Sequence, residues 1–198
     1  MIIFNSCQNK DKLNNENLLV SFKKKNALLT ELYTDYLKDI EKVGFDKIVT
    51  AEHLIIDNDL SKADEKIKEA ILIFNNFNDK NEKLHNDLLK IIDSIKPTKN
   101  FKSNDIIKIR KNLEKKVKDL KLNREIDSLG IDAYDKIKNF LKSKCKFEII
   151  DNQIYFESEK CRKEYFKLSM NLTSIQYKGV LNEMKKKNIE LQKNYGKY

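Results

Sequence analysis

The chain has 198 residues, of which 36% are charged and 40% hydrophobic, and its net charge is +9. Its four glycines and one proline are too few for a strand-rich fold or for long irregular loops, which need these residues at turns. The length suits one sizeable core, and the apolar share excludes an intrinsically disordered chain. Composition therefore favours a single domain of long helices joined by short connections.

The basic excess raises the question of nucleic-acid binding, because contacts to phosphate come mainly from basic side chains. Only three of the 40 basic residues are arginines, although arginine is the preferred bidentate partner of phosphates. The lysines are interleaved with acids along the chain, which is typical of solvated helix faces. Nucleic acid is therefore the less favoured partner, and a diffuse basic surface fits an acidic glycan or an anionic protein patch.

The N-terminus resembles the end of a bacterial lipoprotein signal. Met1 to Phe4 is apolar, and Cys7 follows a small residue, so Cys7 is the predicted lipid-attachment site. A complete signal has a basic start and an apolar core of about 7–15 residues. Two alternatives remain, a signal that begins upstream of Met1 or a chance match in a cytoplasmic protein. Residues 8–17 are polar and aperiodic, so residues 1–17 are interpreted as a signal remnant and flexible tether.

Residues 18–198 are predicted to form a single helical bundle domain. The first helix is expected to begin near Asn15 and to end at Val43. Gly44 follows at the position of a left-handed C-terminal cap. The next segment, residues 45–56, predicts a short helix or a packed connection, and it leads into a turn.

The stretch from Leu60 to Ile95 is the strongest helical signal. Its apolar residues recur every 3.5 positions over roughly five heptads, which predicts the seam of a long helix packed against others. The seam consists of Leu60, Ala63, Ile67, Ala70, Phe74, Phe77, Leu84, Leu88, Ile91 and Ile95. Ser61 is the predicted cap, and Pro97 ends the helix. Asn81 lies on the seam; it either fixes register or marks a break, and we favour a continuous or kinked helix.

Two further helices and a hairpin are predicted next. One helix opens at Ser103 or Asn104 and ends at Gly130, and Asp132 with Asp135 caps the start of a shorter helix. Lys146 to Glu157 predicts a β-hairpin with a two-residue turn. That turn sets Phe147 opposite Phe156 and Ile149 opposite Ile154, so four apolar side chains share one face. Ser158 then caps the last helix, whose clean heptad consists of Cys161, Tyr165, Leu168, Leu172 and Ile175. The predicted fold is an all-α, up-and-down bundle of about five helices with a small β-hairpin before the last helix.

The hairpin register brings Cys145 close to Cys161. Cys145 would lie opposite Ser158, one helical turn from Cys161, which is within reach of a disulfide. Closing this loop contributes about 3 kcal/mol on the chain-entropy model. The alternative is two free thiols in a cytosolic protein. A disulfide and a lipid anchor at Cys7 support each other, because both belong to an oxidising exterior.

The sequence contains no recognisable catalytic motif. It has no glycine-rich phosphate loop, no nucleophile elbow and no paired-histidine motif. His53 and His85 are isolated, with no other ligand residue at metal-binding spacing. We therefore expect no enzymatic activity, no metal and no cofactor.

Several features occur together: Cys7 after a small residue, an Asn- and Lys-rich tether, a lysine-rich helical bundle and a cysteine pair near the C-terminus. In style, this combination resembles the small helical outer-surface lipoproteins of Borrelia-type spirochaetes, including the decorin-binding and complement-regulator-binding groups. The resemblance implies a surface adhesin or immune-evasion factor that binds a host protein or a glycosaminoglycan-like polyanion. It identifies no binding residue in this chain, because no motif aligns. The chain also departs from the family in lacking the apolar core of a signal peptide before Cys7.

Two hypotheses follow from the sequence. The first is a non-enzymatic surface binding protein, held at the outer membrane or cell surface by a lipid anchor. The second is a soluble cytoplasmic helical protein that binds an acidic partner such as nucleic acid. The candidate ligand-binding run is Lys185, Lys186 and Lys187, although a solvated helix end is the simpler explanation of it. The sequence leaves the ligand and the oligomeric state open.

Overall fold

A computed structural model describes the backbone of residues 3–98, 101–143 and 145–195, and the side chains of residues 13–98, 101–143 and 145–181. The protein is 83% helical, with five helices and a two-stranded hairpin before the last one, which confirms the predicted all-α class. The helices are α1 (Ile3–Val43), α2 (Ala51–Ile56), α3 (Ser61–Ser94), α4 (Ser103–Lys142) and α5 (Glu159–Tyr195), and the strands are β1 (Phe147–Ile150) and β2 (Gln153–Phe156). Within the described residues, no helix is long and apolar enough to cross a membrane.

The chain divides into two compact units. Unit 1 comprises Met1–Ile40 and Leu72–Lys121, and unit 2 comprises Glu41–Ile71 and Leu122–Tyr198. The long helices α1, α3 and α4 each contribute residues to both units. The single domain expected over residues 18–198 therefore stays a prediction, and each unit is described separately.

The core of unit 1 is built from α3 and α4, with α1 packed against it. Leu88, Ile92, Ile95 and Leu113 are buried there, and partly buried side chains of α1 cover them: Leu18, Leu19, Phe22 and Leu29. The aromatic rings of Tyr36 and Phe77 stack with their centroids 4.2 Å apart. An amphipathic helix with apolar side chains along one face buries that face against its neighbours.

The first helix starts earlier than the sequence indicates. Helix α1 begins at Ile3, and residues 8–17, which were interpreted as a flexible tether, are helical. The buried Asn15 explains part of the difference, because its amide group bonds to Lys96 in both directions. Its Nδ2 donates to the Lys96 carbonyl oxygen at 2.6 Å, and its Oδ1 accepts from the Lys96 backbone N–H at 3.2 Å. These bonds join residues that are 81 positions apart, so the polar sequence of residues 8–17 gives no sign of them.

The core of unit 2 forms where residues 45–56, which contain α2, meet the start of α3, the second half of α4, α5 and the hairpin. Its most buried residues include Ile48, Leu54, Leu60 and Ile137. The hairpin register is as predicted, with Phe147 paired to Phe156 and Ile149 to Ile154, and all four side chains pack against this core. The turn residues Asp151 and Asn152 both have positive φ, at 49° and 63°, as a two-residue hairpin turn requires.

The seam of α3 is confirmed. Nine of its ten predicted residues are buried and Leu84 is half-buried, and the helix runs through the buried Asn81 without a break. The cap is not the predicted one, because Ser61 is the first helical residue. Instead, the carboxylate of Asp57 accepts hydrogen bonds from the backbone N–H groups of Lys62 and Ala63, at 3.1 Å and 2.8 Å. Those two N–H groups have no partner within the helix, which is why a carboxylate at this point stabilises its start.

The predicted break at Gly130 is wrong. Helix α4 continues through it to Lys142, and Asp132 pairs with Lys136 one turn further along instead of capping a new helix. A methyl group built at Gly130 would meet no atom within 4 Å, so the glycine serves no close approach. Glycine costs roughly 1 kcal/mol within a helix, and burial of Ala133 and Tyr134 in the core of unit 2 offsets that cost.

Candidate functional site

A row of four lysines lies along the outer face of α4 in unit 1. Lys108, Lys111, Lys115 and Lys118 are all exposed. Their spacings of three, four and three residues place them on one face of the helix, away from the buried Leu113. At 1.5 Å per residue, this α4 lysine stripe is about 15 Å long. It is a linear array of positive charge on a well-formed helix.

The lysines of the stripe are free to meet an external anion. No hydrogen bond or ion pair joins any of the four to another residue in the described part of the chain. The nearest arginine is occupied: Arg110 bonds to Glu114 at 3.1 Å and to Asp93 at 3.2 Å. That arrangement pairs Glu114, one of the acids on α4 near the stripe, with a residue outside the stripe. Residues 102–121 contain eight basic residues and only three acidic ones.

The charged cluster of unit 2 is satisfied internally. The Lys138 ammonium is nearly buried and lies 2.6 Å from carboxylate oxygens of both Asp64 and Asp135, while Lys142 also bonds to Asp64. Hydrogen bonds from Lys138 and Lys142 lower the pKa of Asp64 to about 2. Burial opposes the charged form of Lys138, but its bonds to Asp135 and Asp64 raise its pKa overall. This cluster joins α3 to α4 within unit 2 and has no unpaired charge for a ligand.

The two histidines also have internal roles. Burial lowers the pKa of His53, with Lys66 adding to that effect, even though Asp57 lies 3.5 Å from its Nε2. Burial likewise lowers the pKa of His85, whose Nδ1 lies 3.0 Å from the carbonyl oxygen of Asn81 one turn earlier. Among the described residues, no group of three or more His, Cys, Asp or Glu side chains could hold a metal ion.

A shallow surface depression of about 480 Å³ lies on α5. Its lining residues are Glu159, Lys160, Lys163, Glu164 and Lys167. All of them belong to the first turns of one helix, so no second element closes the space. A small-molecule site is normally an enclosed cleft with a few precisely placed polar groups, whereas this depression is open and lined only by charged residues of one helix.

The structure brings together one pair of the site residues predicted from sequence. Cys145 and Cys161 form a disulfide with their Cα atoms 5.8 Å apart, in agreement with the predicted pairing. The backbones of Cys7 and Lys185–Lys187 belong to α1 and α5, and their side chains lie outside the described residues. The α4 lysine stripe was not singled out from the sequence. Lysines spaced three and four residues apart, opposite the apolar stripe of the same helix, are the signal that identifies it.

Comparison of the chain with protein-family models, with curated proteins and with solved structures gives no match. The function is therefore inferred from the geometry and charge of the chain itself.

Proposed function

We propose that the protein is a non-enzymatic bacterial surface protein that binds an acidic glycan, or an anionic patch on a host protein, through the α4 lysine stripe. The observation that carries this proposal is the row of four exposed lysines without internal partners. Surface lysines that serve only solubility are normally interspersed with acidic residues, as they are elsewhere in the chain.

The chemistry of the stripe fits a linear polyanion. Each lysine ends in a compact, hydrated positive charge on a flexible stem, so it tolerates anions at variable spacing. A single exposed ion pair contributes little, roughly 0.3–0.5 kcal/mol, and a polymer that contacts several lysines at once adds these small terms. Sulfated or carboxylated sugars present such repeated anions. Duplex nucleic acid is less favoured because Arg110, the arginine nearest the stripe, is engaged by Glu114 and Asp93.

The membrane-anchored part of the proposal concerns Cys7. Lipidation there would hold the protein at the outer membrane or cell surface. The Cys145–Cys161 disulfide supports this compartment, because structural disulfides persist in oxidising surroundings and are rare in the bacterial cytosol. Lys185, Lys186 and Lys187 remain a proposed secondary contact for the same polyanion.

The binding experiment compares two variants of equal charge change. In the stripe variant, Lys108, Lys111, Lys115 and Lys118 are all changed to Gln. In the control, four exposed lysines of unit 2 are changed to Gln: Lys136, Lys160, Lys163 and Lys167. We expect the stripe variant to bind a heparin-type sulfated glycan about tenfold more weakly than the unmodified chain, as four contacts of this strength predict, while the control loses much less. Calorimetry or surface plasmon resonance at several salt concentrations measures both.

Two results would count against the proposal. An equal loss in both variants would mean that net charge alone drives binding and that the stripe is not a site. Tighter binding of unrelated DNA duplexes than of the glycan at the same salt concentration would favour the cytoplasmic, nucleic-acid-binding alternative.

A further inference from the structure

The outer face of α5 is apolar and unpartnered in unit 2. Four of its large side chains are exposed: Phe166 by 64%, Met170 by 53%, Tyr177 by 62% and Val180 by 55%. With the exposed Thr173 they recur at spacings of four, three, four and three residues. This is the spacing of a coiled-coil seam, and it lies on a different face from the buried Leu172 and Ile175. We call these five residues the α5 outer stripe.

We propose that the α5 outer stripe is a self-association surface, along which two copies of this chain pack with their α5 helices antiparallel. Large exposed apolar patches on otherwise polar surfaces mark interaction sites. The charge and the symmetry of the α5 outer stripe both favour a second copy of this chain as the partner, independently of the α4 lysine stripe.

The middle of the α5 outer stripe lies in an uncharged stretch of the chain. Residues 168–177 contain no charged residue, which makes them the longest uncharged run in a chain with 36% charged residues. An acidic partner would be recognised by lysines, whereas two chains that each carry +9 repel unless their contact avoids charge. The run is therefore suited to a second copy of a basic protein.

The spacing of the α5 outer stripe suits a two-fold symmetric contact. It is nearly palindromic about Thr173, so an antiparallel pairing sets Phe166 against Val180 and Met170 against Tyr177 of the second copy. Each large side chain then meets one on the other helix, as a two-fold symmetric interface requires. A parallel pairing would instead place Lys163, which continues the stripe one turn before Phe166, beside the Lys163 of the second copy, and like charges side by side are unfavourable.

The interface is short. From Phe166 to Val180 the helix rises about 21 Å, which is less contact than a stable, standard-sized interface provides. We therefore expect a weak, concentration-dependent equilibrium between monomer and dimer, with dissociation in the micromolar range. A dimer presents two α4 lysine stripes, which strengthens binding to any polymer long enough to reach both.

Sedimentation equilibrium on the full chain tests the proposal first. We expect the average mass to rise from monomer to dimer between low-micromolar and near-millimolar concentrations. A variant with Met170→Lys and Tyr177→Lys should dissociate at least tenfold more readily. The matched control carries Ile56→Lys and Leu72→Lys, which are exposed by 71% and 70% on other helices, and it should dimerise normally. Circular dichroism checks that both variants are folded.

Crosslinking tests the orientation. In a Cys7→Ser background, a mixture of Phe166→Cys and Val180→Cys chains should form a disulfide-linked dimer under mild oxidation, and Phe166→Cys alone should not. A monomer at every concentration would overturn the proposal and leave the face to a different partner. Dimers unaffected by the lysine substitutions, or self-crosslinking of Phe166→Cys, would overturn the assigned surface or its antiparallel orientation.

Discussion

At the scale of single residues, the acids that matter most are those already bonded within the fold. Asp57 is 2% exposed and serves as the cap of α3, and Asp64 holds Lys138 and Lys142. Asp57 opens the turn that leads into α3, and Asp64 lies in the first turn of that helix, where free backbone N–H groups and the positive end of the helix favour carboxylates. The sequence shows a cluster of acids here, and the structure assigns each one a partner.

The pH dependence of stability reports on Asp64. Its pKa falls from 3.8 to about 2 in the folded chain, so its ion pairs stabilise the fold above about pH 4 and are lost as the pH drops through about 2. The side chain is 35% exposed, so solvent screening reduces this contribution to less than about 1 kcal/mol. We expect Asp64→Asn to lower the free energy of unfolding at pH 6, with a difference from the unmodified chain that shrinks toward pH 2. Urea titrations across this range measure it.

The control for that experiment is Asp79→Asn. Asp79 is exposed on α3 and makes no ion pair with the described residues, so its change removes a carboxylate without removing a contact. A difference for Asp64→Asn that stays constant down to pH 2 would show that its ion pairs do not stabilise the fold.

At the scale of elements, the clearest departure from sequence patterns is the length of the helices. A polar run suggested that α1 begins near Asn15, and a glycine suggested a break in α4, but α1 begins at Ile3 and α4 continues through Gly130. The reason is the same in each case, because distant residues bury or bond the segment and outweigh its low helix propensity. Gly44 behaves as predicted, since its φ of 62° ends α1 in the left-handed conformation.

Two glycine substitutions distinguish a glycine within a continuous helix from a glycine that ends one. We expect Gly130→Ala to raise the free energy of unfolding by about 0.5–1 kcal/mol, because alanine favours the helix and the added methyl group has free space. Gly44→Ala should lower it by about 1 kcal/mol or more, because a side chain strains the left-handed conformation. Thermal and denaturant unfolding measure both changes. Destabilisation by Gly130→Ala would contradict a continuous α4.

At the scale of the whole molecule, the net charge is unevenly distributed along the chain. The segments of unit 1 contain 19 basic and 12 acidic residues, whereas those of unit 2 contain 21 and 19. Most of the +9 therefore belongs to unit 1, which carries the α4 lysine stripe. Unit 2 carries the disulfide and the α5 outer stripe. The two proposed contacts, with a polyanion and with a second copy, thus belong to different units.

The compartment is a prediction about the whole molecule. When the gene is expressed with its own upstream sequence, we expect the product to partition into the detergent phase of a membrane extract, and Cys7→Ala to move into the aqueous phase. Its non-reduced mass should show a disulfide between Cys145 and Cys161. A Cys7→Ala product that stays fully membrane-bound would contradict the anchor, and free thiols at both other cysteines would remove the support for an oxidising exterior.

The sequence by itself determined the all-α class and predicted the seam of α3, the hairpin register and the cysteine pairing, which the structure then showed. Each of these depends on how often apolar residues recur along the chain, every 3.5 residues in the helix and every two in the strands. Such a period can be recognised in a sequence wherever one face of the element is buried. The tertiary structure alone decided that α1 begins before Asn15 and that α4 is unbroken, because contacts such as Asn15 with Lys96 join residues far apart in the chain. It alone also separated lysines with internal partners from those of the α4 stripe, since a charge is available for binding only when the fold leaves it unpaired.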